Sequence, residues 1–295
     1  MRLESWAVAL IAAGLAWTAE ARLELGSPFV DGAVLQREKH VNVWGWADPS
    51  AQVKVTFAGQ TKFAVAGADG KWLVALDPMV ASKEPRRLTV STSTSSLGLE
   101  DVLVGEVWLC SGQSNMEFSL CSPGVRSRER DGYLTAQMTC RPDVRYLGAS
   151  LYKTSSRPEA KTASPLTWQK FEPAFLTKPG ASAIAVYYAL ELRTALDVPV
   201  GVIVAAWGGT DIAPWIPREG LESTKGLEDL AAYEPKFGDA FKKLDSMPNM
   251  TNASRQPTVM YNALVAPLAP YSVRGILWYQ GESDRGETGD RKSVV

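Results

Sequence analysis

Three times in this 295-residue chain a short apolar run stops abruptly at small and polar residues. Residues 104–109 (VGEVWL) lead into CSGQSNM at 110–116. Residues 198–206 (VPVGVIVAA) lead into WGGTD at 207–211. Residues 274–279 (RGILWY) lead into QGES at 280–283. Each run has the length and β-propensity of a buried strand. Helical stretches separate the runs, and strands joined in that way form a parallel sheet through right-handed crossovers. The carboxyl ends of such strands lie on one edge, where open α/β sheets bind ligands. Ser114, the pair Gly208 and Gly209, and the segment from Gln280 to Glu282 are therefore predicted to meet in one crevice. No internal repeat relates the three runs.

The rest of the chain divides around residue 100. Before it, residues 41–46, 52–57, 62–65, 72–76 and 87–91 are short, mostly alternating runs separated by Asp, Pro and Gly turn signals. That pattern predicts a small β-sandwich over 22–100, with its tryptophans in the core. Residues 92–96 read as a polar join. After it comes an α/β domain over 101–295. Within this domain 117–180 read as loop-rich, with six prolines at 123, 142, 158, 165, 173 and 179. Residues 183–196 lack Gly and Pro and predict a helix whose broad apolar face carries Ile184, Tyr187, Tyr188, Leu190 and Leu192. Residues 217–257 read as polar and irregular, and 259–268 as a helix ended by prolines.

Residues 1–21 have the form of a secretory signal peptide: Arg2, an apolar run too short to span a bilayer, and an A-x-A site at 19–21. Removal of Arg2, Glu4 and Glu20 would bring the formal charge from −1 to neutrality, which argues against a nucleic-acid partner. No other run is long enough to be a membrane helix, and a hydrophobic content of 45% suits a globular chain. The three cysteines allow one disulfide at most. Cys110, at the end of a buried strand, reads as a packed thiol, which leaves Cys121 with Cys140 as the preferred pair. Asn249 and Asn252 head glycosylation sequons. No His/Cys ligand cluster, phosphate-binding loop or dinucleotide fingerprint is present, so neither a metal nor a cofactor is expected.

Gly-Gln-Ser-Asn-Met at 112–116, together with the blocks at 206–211 and 278–283, resembles the SGNH hydrolases in the form found in sialate O-acetylesterases and related carbohydrate acetylesterases. The resemblance covers about residues 25 to 285. It implies an SGNH-like α/β domain with a flavodoxin-like parallel sheet, preceded by a β domain. It also implies hydrolysis of O-acetyl esters on sialic acid or related sugars, with Ser114 as nucleophile. The backbone of Ser114, a Gly of the pair Gly208 and Gly209, and the Gln280 amide would supply the oxyanion donors. Glu282 would order the site by hydrogen bonding to nearby backbone. The family pattern has Asn where this chain has Asp284, so the resemblance assigns residue 284 no role.

The family's base is a histidine in a later Asp-x-x-His block. The one histidine of this chain, His40, stands in the β domain in a turn before a strand. The chain thus reads as stopping before that block. Two other activities stay open: acetylesterase action on plant or microbial polysaccharide, and a non-catalytic glycan-binding or structural form. The expected partner is an O-acetylated sugar, in a secreted or lumenal setting. No membrane partner is expected, and nothing bears on oligomeric state.

Overall fold

The computed structural model describes residues 22–122, 128–139, 141–150, 152–172, 174–175, 179–227 and 256–286. The predicted signal peptide, Cys140 with its pairing to Cys121, and the two sequons lie outside them. Seven strands come first: β1 (Leu23–Leu25), β2 (Val34–Gln36), β3 (Val41–Ala47), β4 (Gln52–Phe57), β5 (Gln60–Val65), β6 (Lys71–Leu76) and β7 (Ser82–Ser91). Strict alternation buries Val53, Val55 and Phe57 from β4, and Trp72, Val74 and Leu76 from β6. β1, β3 and β6 make one antiparallel sheet, while β4 pairs with β5 and β7 in another. Trp44, Trp46 and Trp72 are buried between and beside these sheets, as the sequence predicts.

The polar join at 92–96 is a tight turn, closed by the Thr92 N–H on the Ser95 carbonyl at 2.8 Å. It leads into β8 (Ser96–Gly112), a 17-residue strand that runs through residue 100 and serves two sheets. Its first part is antiparallel to β7, and residues 103–105 run parallel to β2. Its last part is the central strand of the parallel sheet. At the junction Asp101 takes a left-handed backbone (φ 57°) and its carboxylate meets Arg145 at 3.2 Å and Lys170 at 2.7 Å.

Beyond β8 come α1 (Ser114–Glu117), α2 (Arg128–Thr139), β9 (Val144–Gly148), β10 (Trp168–Lys170), α3 (Ala183–Leu196), β11 (Val200–Ala206), α4 (Arg218–Ser223) and β12 (Gly275–Tyr279). The sheet order is β10-β9-β11-β8, with β12 on the far side of β8. All these strands are parallel except β10. Every residue of β11 is buried, as a strand covered on both faces requires.

The loop-rich prediction for 117–180 fails here. It missed α2, β9 and β10, because β9 is only five residues long and includes Arg145, whose guanidinium is buried on Asp101. α3 has its predicted ends, capped by the Ser182 hydroxyl on the Ala185 N–H at 3.1 Å and by left-handed Asp197. The buried face shares only Leu190 with the predicted one: Ala185, Val186, Ala189 and Leu190 face the sheet, while Ile184, Tyr187 and Leu192 flank it. Small alanines let the helix approach closely, and the larger side chains close the margins.

The parallel sheet lies between two covers. α3 and α1 pack on one face over Cys110, Val144, Val202 and Val204. The other face shares its core with the β-sandwich, through Leu103, Val107, Leu147, Trp168 and Ile203. Residues 259–268 are helical in part and include a π turn, Tyr261–Val265, closed by the Ala266 N–H on the Tyr261 carbonyl at 2.8 Å. Among the described residues no helix is long and apolar enough to cross a membrane.

Candidate active site

β8 ends where its backbone turns hard against β12. Gly112 has φ 138°, and a Cβ there would lie 2.0 Å from the Tyr279 carbonyl oxygen, so no other residue fits without displacing the strand. The turn delivers Ser114 to the first position of α1, exposed to solvent above the sheet. β11 and β12 deliver the other two blocks to the same edge, in register: Ala206 stands beside Gly112 on one side and Tyr279 on the other. The convergence predicted from the three runs is therefore what the backbone register produces.

Gly208 packs directly on the start of α1. A Cβ on it would lie 3.4 Å from both Cα and Cβ of Ser114. Its N–H donates to Glu117 Oε2 at 2.6 Å. Gly209 follows in a left-handed conformation, φ 72°. The Gly208 donor is thus already engaged, by a carboxylate that the sequence reading did not single out. Glu117 lies three residues after Ser114, on the same face of one helical turn. Its other oxygen accepts from the Tyr152 hydroxyl. Burial pushes the Glu117 carboxyl above its ordinary range, and the Gly208 N–H draws it part of the way back.

A second residue missed in the sequence is Gln113, which is fully buried. Its Oε1 collects three donors: Gln280 Nε2 at 3.3 Å, the Gly281 N–H at 3.4 Å and the Ser283 N–H at 3.3 Å. That arrangement leaves its amide NH₂ facing Ser114, with Nε2 3.5 Å from Oγ. The signal was available, since Gln113 sits inside the Gly-Gln-Ser-Asn-Met block at 112–116.

Gln280 stands at the carboxyl end of β12, where the sequence places it. Its amide nitrogen also reaches the Thr210 carbonyl at 3.2 Å and the Asp284 carboxylate. Asp284 accepts the Ile212 N–H at 3.3 Å with its other oxygen, so the residue that departs from the family pattern ties the second block to the third. Glu282 bonds to the side chain of Asn115, not to backbone as expected from the resemblance. The Asn115 amide lies within reach because α1 starts at the site edge, and a side-chain donor there satisfies Glu282 Oε1. Glu282 Oε2 is buried without a hydrogen-bond partner among the described residues.

His40 is exposed, as expected of a turn before β3. Its Nδ1 lies 3.3 Å from the Leu76 carbonyl, and its own carbonyl accepts from Ser272, three residues before β12 begins. β12 then runs from that end of the sheet to the site, so His40 and Ser114 occupy opposite edges. Cys110 is a buried thiol whose pKa burial pushes up to about 12, consistent with a packing role. Among the described residues no group of His, Cys, Asp and Glu is placed to hold a metal.

Residues 104–293 match the family model described as carbohydrate esterase, sialic acid-specific acetylesterase. Human sialate O-acetylesterase is 31% identical over 266 residues, which cover 85% of this chain and 47% of the human protein. The mouse sialate O-acetylesterase is 29% identical over 277 residues, covering 85% of this chain and 50% of the mouse protein. Among solved structures, a carbohydrate acetylesterase from Xanthomonas citri superposes with a TM-score of 0.72 at 30% identity, covering 90% of this chain and 53% of that one. The chain spans about half the length of the relatives it matches.

Proposed function

From the premise that this chain belongs to the sialic acid-specific acetylesterase family of carbohydrate esterases, we propose that it removes O-acetyl groups from a sugar by acyl transfer to Ser114. The observation that carries the reading is the exposed Ser114 on the turn out of β8, with Gly208 packed against it and a buried amide facing its hydroxyl. Ser114 Oγ attacks the acetyl carbonyl, its proton passes to a base, and the sugar oxygen leaves with a proton. Water then releases acetate from Ser114 by the same steps.

The developing oxyanion needs donors that are fixed in advance. The Ser114 N–H is at the start of α1, where helix geometry provides no backbone acceptor. Gly209 supplies the second donor in this reading, and Gly208 the close approach, because the Gly208 N–H is held by Glu117. The third donor is a side-chain amide. Gln280 can serve only by turning away from one of its three acceptors, whereas Gln113 already faces Ser114. Glu282 orders the site through Asn115. A secreted or lumenal location follows from the leader-like residues 1–21 and suits an enzyme of exposed glycans.

The test is turnover of O-acetylated sugars by this chain extended with an Asp-x-x-His-containing segment from a full-length relative. Ser114→Ala should abolish it. Equal turnover in that variant would remove the serine reading. A preference for acetylated xylan over O-acetylated sialic acid would favour the polysaccharide alternative.

A further inference from the structure

Gln280 and Gln113 meet beside Ser114, and the groups around them decide which amide can donate to a developing oxyanion. A primary amide carries two hydrogens on its nitrogen and an oxygen that only accepts. Nε2 of Gln280 faces the Thr210 carbonyl at 3.2 Å and the Asp284 carboxylate. A carbonyl and a carboxylate can only accept, so both call for the NH₂ side of the amide. Between them they claim both of its hydrogens. Gln113 has the complementary surroundings. The N–H groups of Gly281 and Ser283 stand 3.4 Å and 3.3 Å from its oxygen, and a backbone N–H can only donate. Its oxygen is fixed on that side, and its NH₂ is left facing Ser114 Oγ, 3.5 Å away.

Asp284 tips this balance. It is held from two sides in the short helical turn Glu282–Gly286: its other oxygen accepts the Ile212 N–H at 3.3 Å, and its own N–H donates to the Gly281 carbonyl at 3.2 Å. It is also the position at which this chain departs from the family pattern, which has asparagine there. An asparagine at 284 could not do the same work. Its oxygen would be claimed by the Ile212 N–H, and its NH₂ would then face the NH₂ of Gln280. Two donors do not bond to each other, so Gln280 would keep one hydrogen uncommitted.

We propose that Asp284 is a positioning residue for acyl transfer: by claiming one hydrogen of the Gln280 amide it takes Gln280 out of the oxyanion hole and assigns the side-chain donor to Gln113. The proposal rests on the acetylesterase reading and deepens it. Asp284 acts through Gln280, and Gln280 in turn supports the Gln113 oxygen at 3.3 Å.

Two measurements test it. Side-chain amide NMR on the ¹⁵N-labelled 295-residue chain reads the hydrogen bonds directly, each resonance being identified by its loss in Gln280→Ala or Gln113→Leu. Both Gln280 amide hydrogens should exchange with water at least about tenfold more slowly than those of a free glutamine side chain, and Asp284→Asn should release one of them. The second measurement is a double-mutant cycle on hydrolysis of p-nitrophenyl acetate by the chain extended with the Asp-x-x-His-containing segment. With Asp284 in place, Gln280→Ala should lower kcat by less than about tenfold. In the Asp284→Asn background the same substitution should cost about 10²–10³ in kcat, the loss usual for one oxyanion donor, with KM unchanged within about twofold. Gln113→Leu should move the other way, costing at least about tenfold less in that background. A residue that only holds the fold would lower the melting temperature and cost the same in both backgrounds. If Asp284→Asn does not fold, Asp284→Ala, which frees the same hydrogen, replaces it.

Gln280 hydrogens that exchange freely in the native chain, or a Gln280→Ala cost that is equal in the two backgrounds, would overturn the proposal and leave the acetylesterase reading standing. Absence of Ser114-dependent turnover in every background would remove the acetylesterase reading, and the donor assignment with it.

Discussion

Glu117 carries an electrostatic cost that its neighbours only partly offset. Burial raises its pKa in the folded protein, and the Gly208 N–H lowers it less than burial raises it. A carboxyl raised in this way binds its proton more tightly folded than unfolded. Its favourable contribution is full below the ordinary carboxyl range and is lost as pH rises through the raised value. Glu117→Gln should therefore raise the melting temperature more at pH 7.5 than at pH 4, as read by calorimetry. An equal shift at both would show that the charge is not what costs stability. Gln113 is the second residue whose effect can be isolated. Gln113→Leu in the extended, active chain should lower turnover by about 10²–10³, the loss usual for one oxyanion donor. Gln280→Ala loosens Gln113 instead of removing it, so its loss should be the smaller of the two. The reverse order would return the donor role to Gln280.

The elements show why some of this was legible and some was not. β8, β11 and β12 announce themselves by apolar runs that end in glycine and polar residues, and parallel register then forces Ser114, Gly208 and Gln280 to one edge. β9 gives no such signal, because Arg145 interrupts its apolar pattern and is compensated only by Asp101, far away in sequence. A cleft wall made by Tyr146, Gly148 and Ser150 is built at the end of β9, so it was hidden with that strand. Glu117 was hidden for another reason: it reads as an ordinary helix residue until Gly208 folds back onto it. β12 brings a liability as well as the Gln280 block. It is an edge strand among the described residues, pairing with β8 on one side, and exposes Ile276 at 60% and Trp278 at 41%. Unpaired apolar edges template aggregation. Ile276→Lys should lower light scattering of the concentrated 295-residue chain at unchanged melting temperature. Undiminished scattering would place the sticky surface elsewhere.

In the molecule as a whole, Ser114, the glycine turn and Gln113 come together at one edge of the sheet, and among the described residues no histidine lies beside them. The β-sandwich and the parallel sheet share a core, so Ser114, the glycine turn and Gln113 sit on a rigid platform. The one histidine of these 295 residues lies on the opposite edge of the sheet, tied to Leu76 and Ser272. Both oxygens of Glu117 are held, by Gly208 and Tyr152, and Glu282 holds Asn115 through Oε1 while its buried Oε2 has no partner among the described residues. A serine hydroxyl without a base is a weak nucleophile. The 295-residue chain should then accelerate ester hydrolysis over water by only about 10³–10⁴-fold, the residue left to binding and the oxyanion hole when a triad member is removed. Extension with an Asp-x-x-His segment should raise turnover by orders of magnitude. It should also bring rapid fluorophosphonate labelling at Ser114, a reaction that needs an activated serine. His40→Ala should change neither measurement. Full labelling of the short chain, lost on His40→Ala, would mean that the β domain reaches the site in solution, and would displace the arrangement described here.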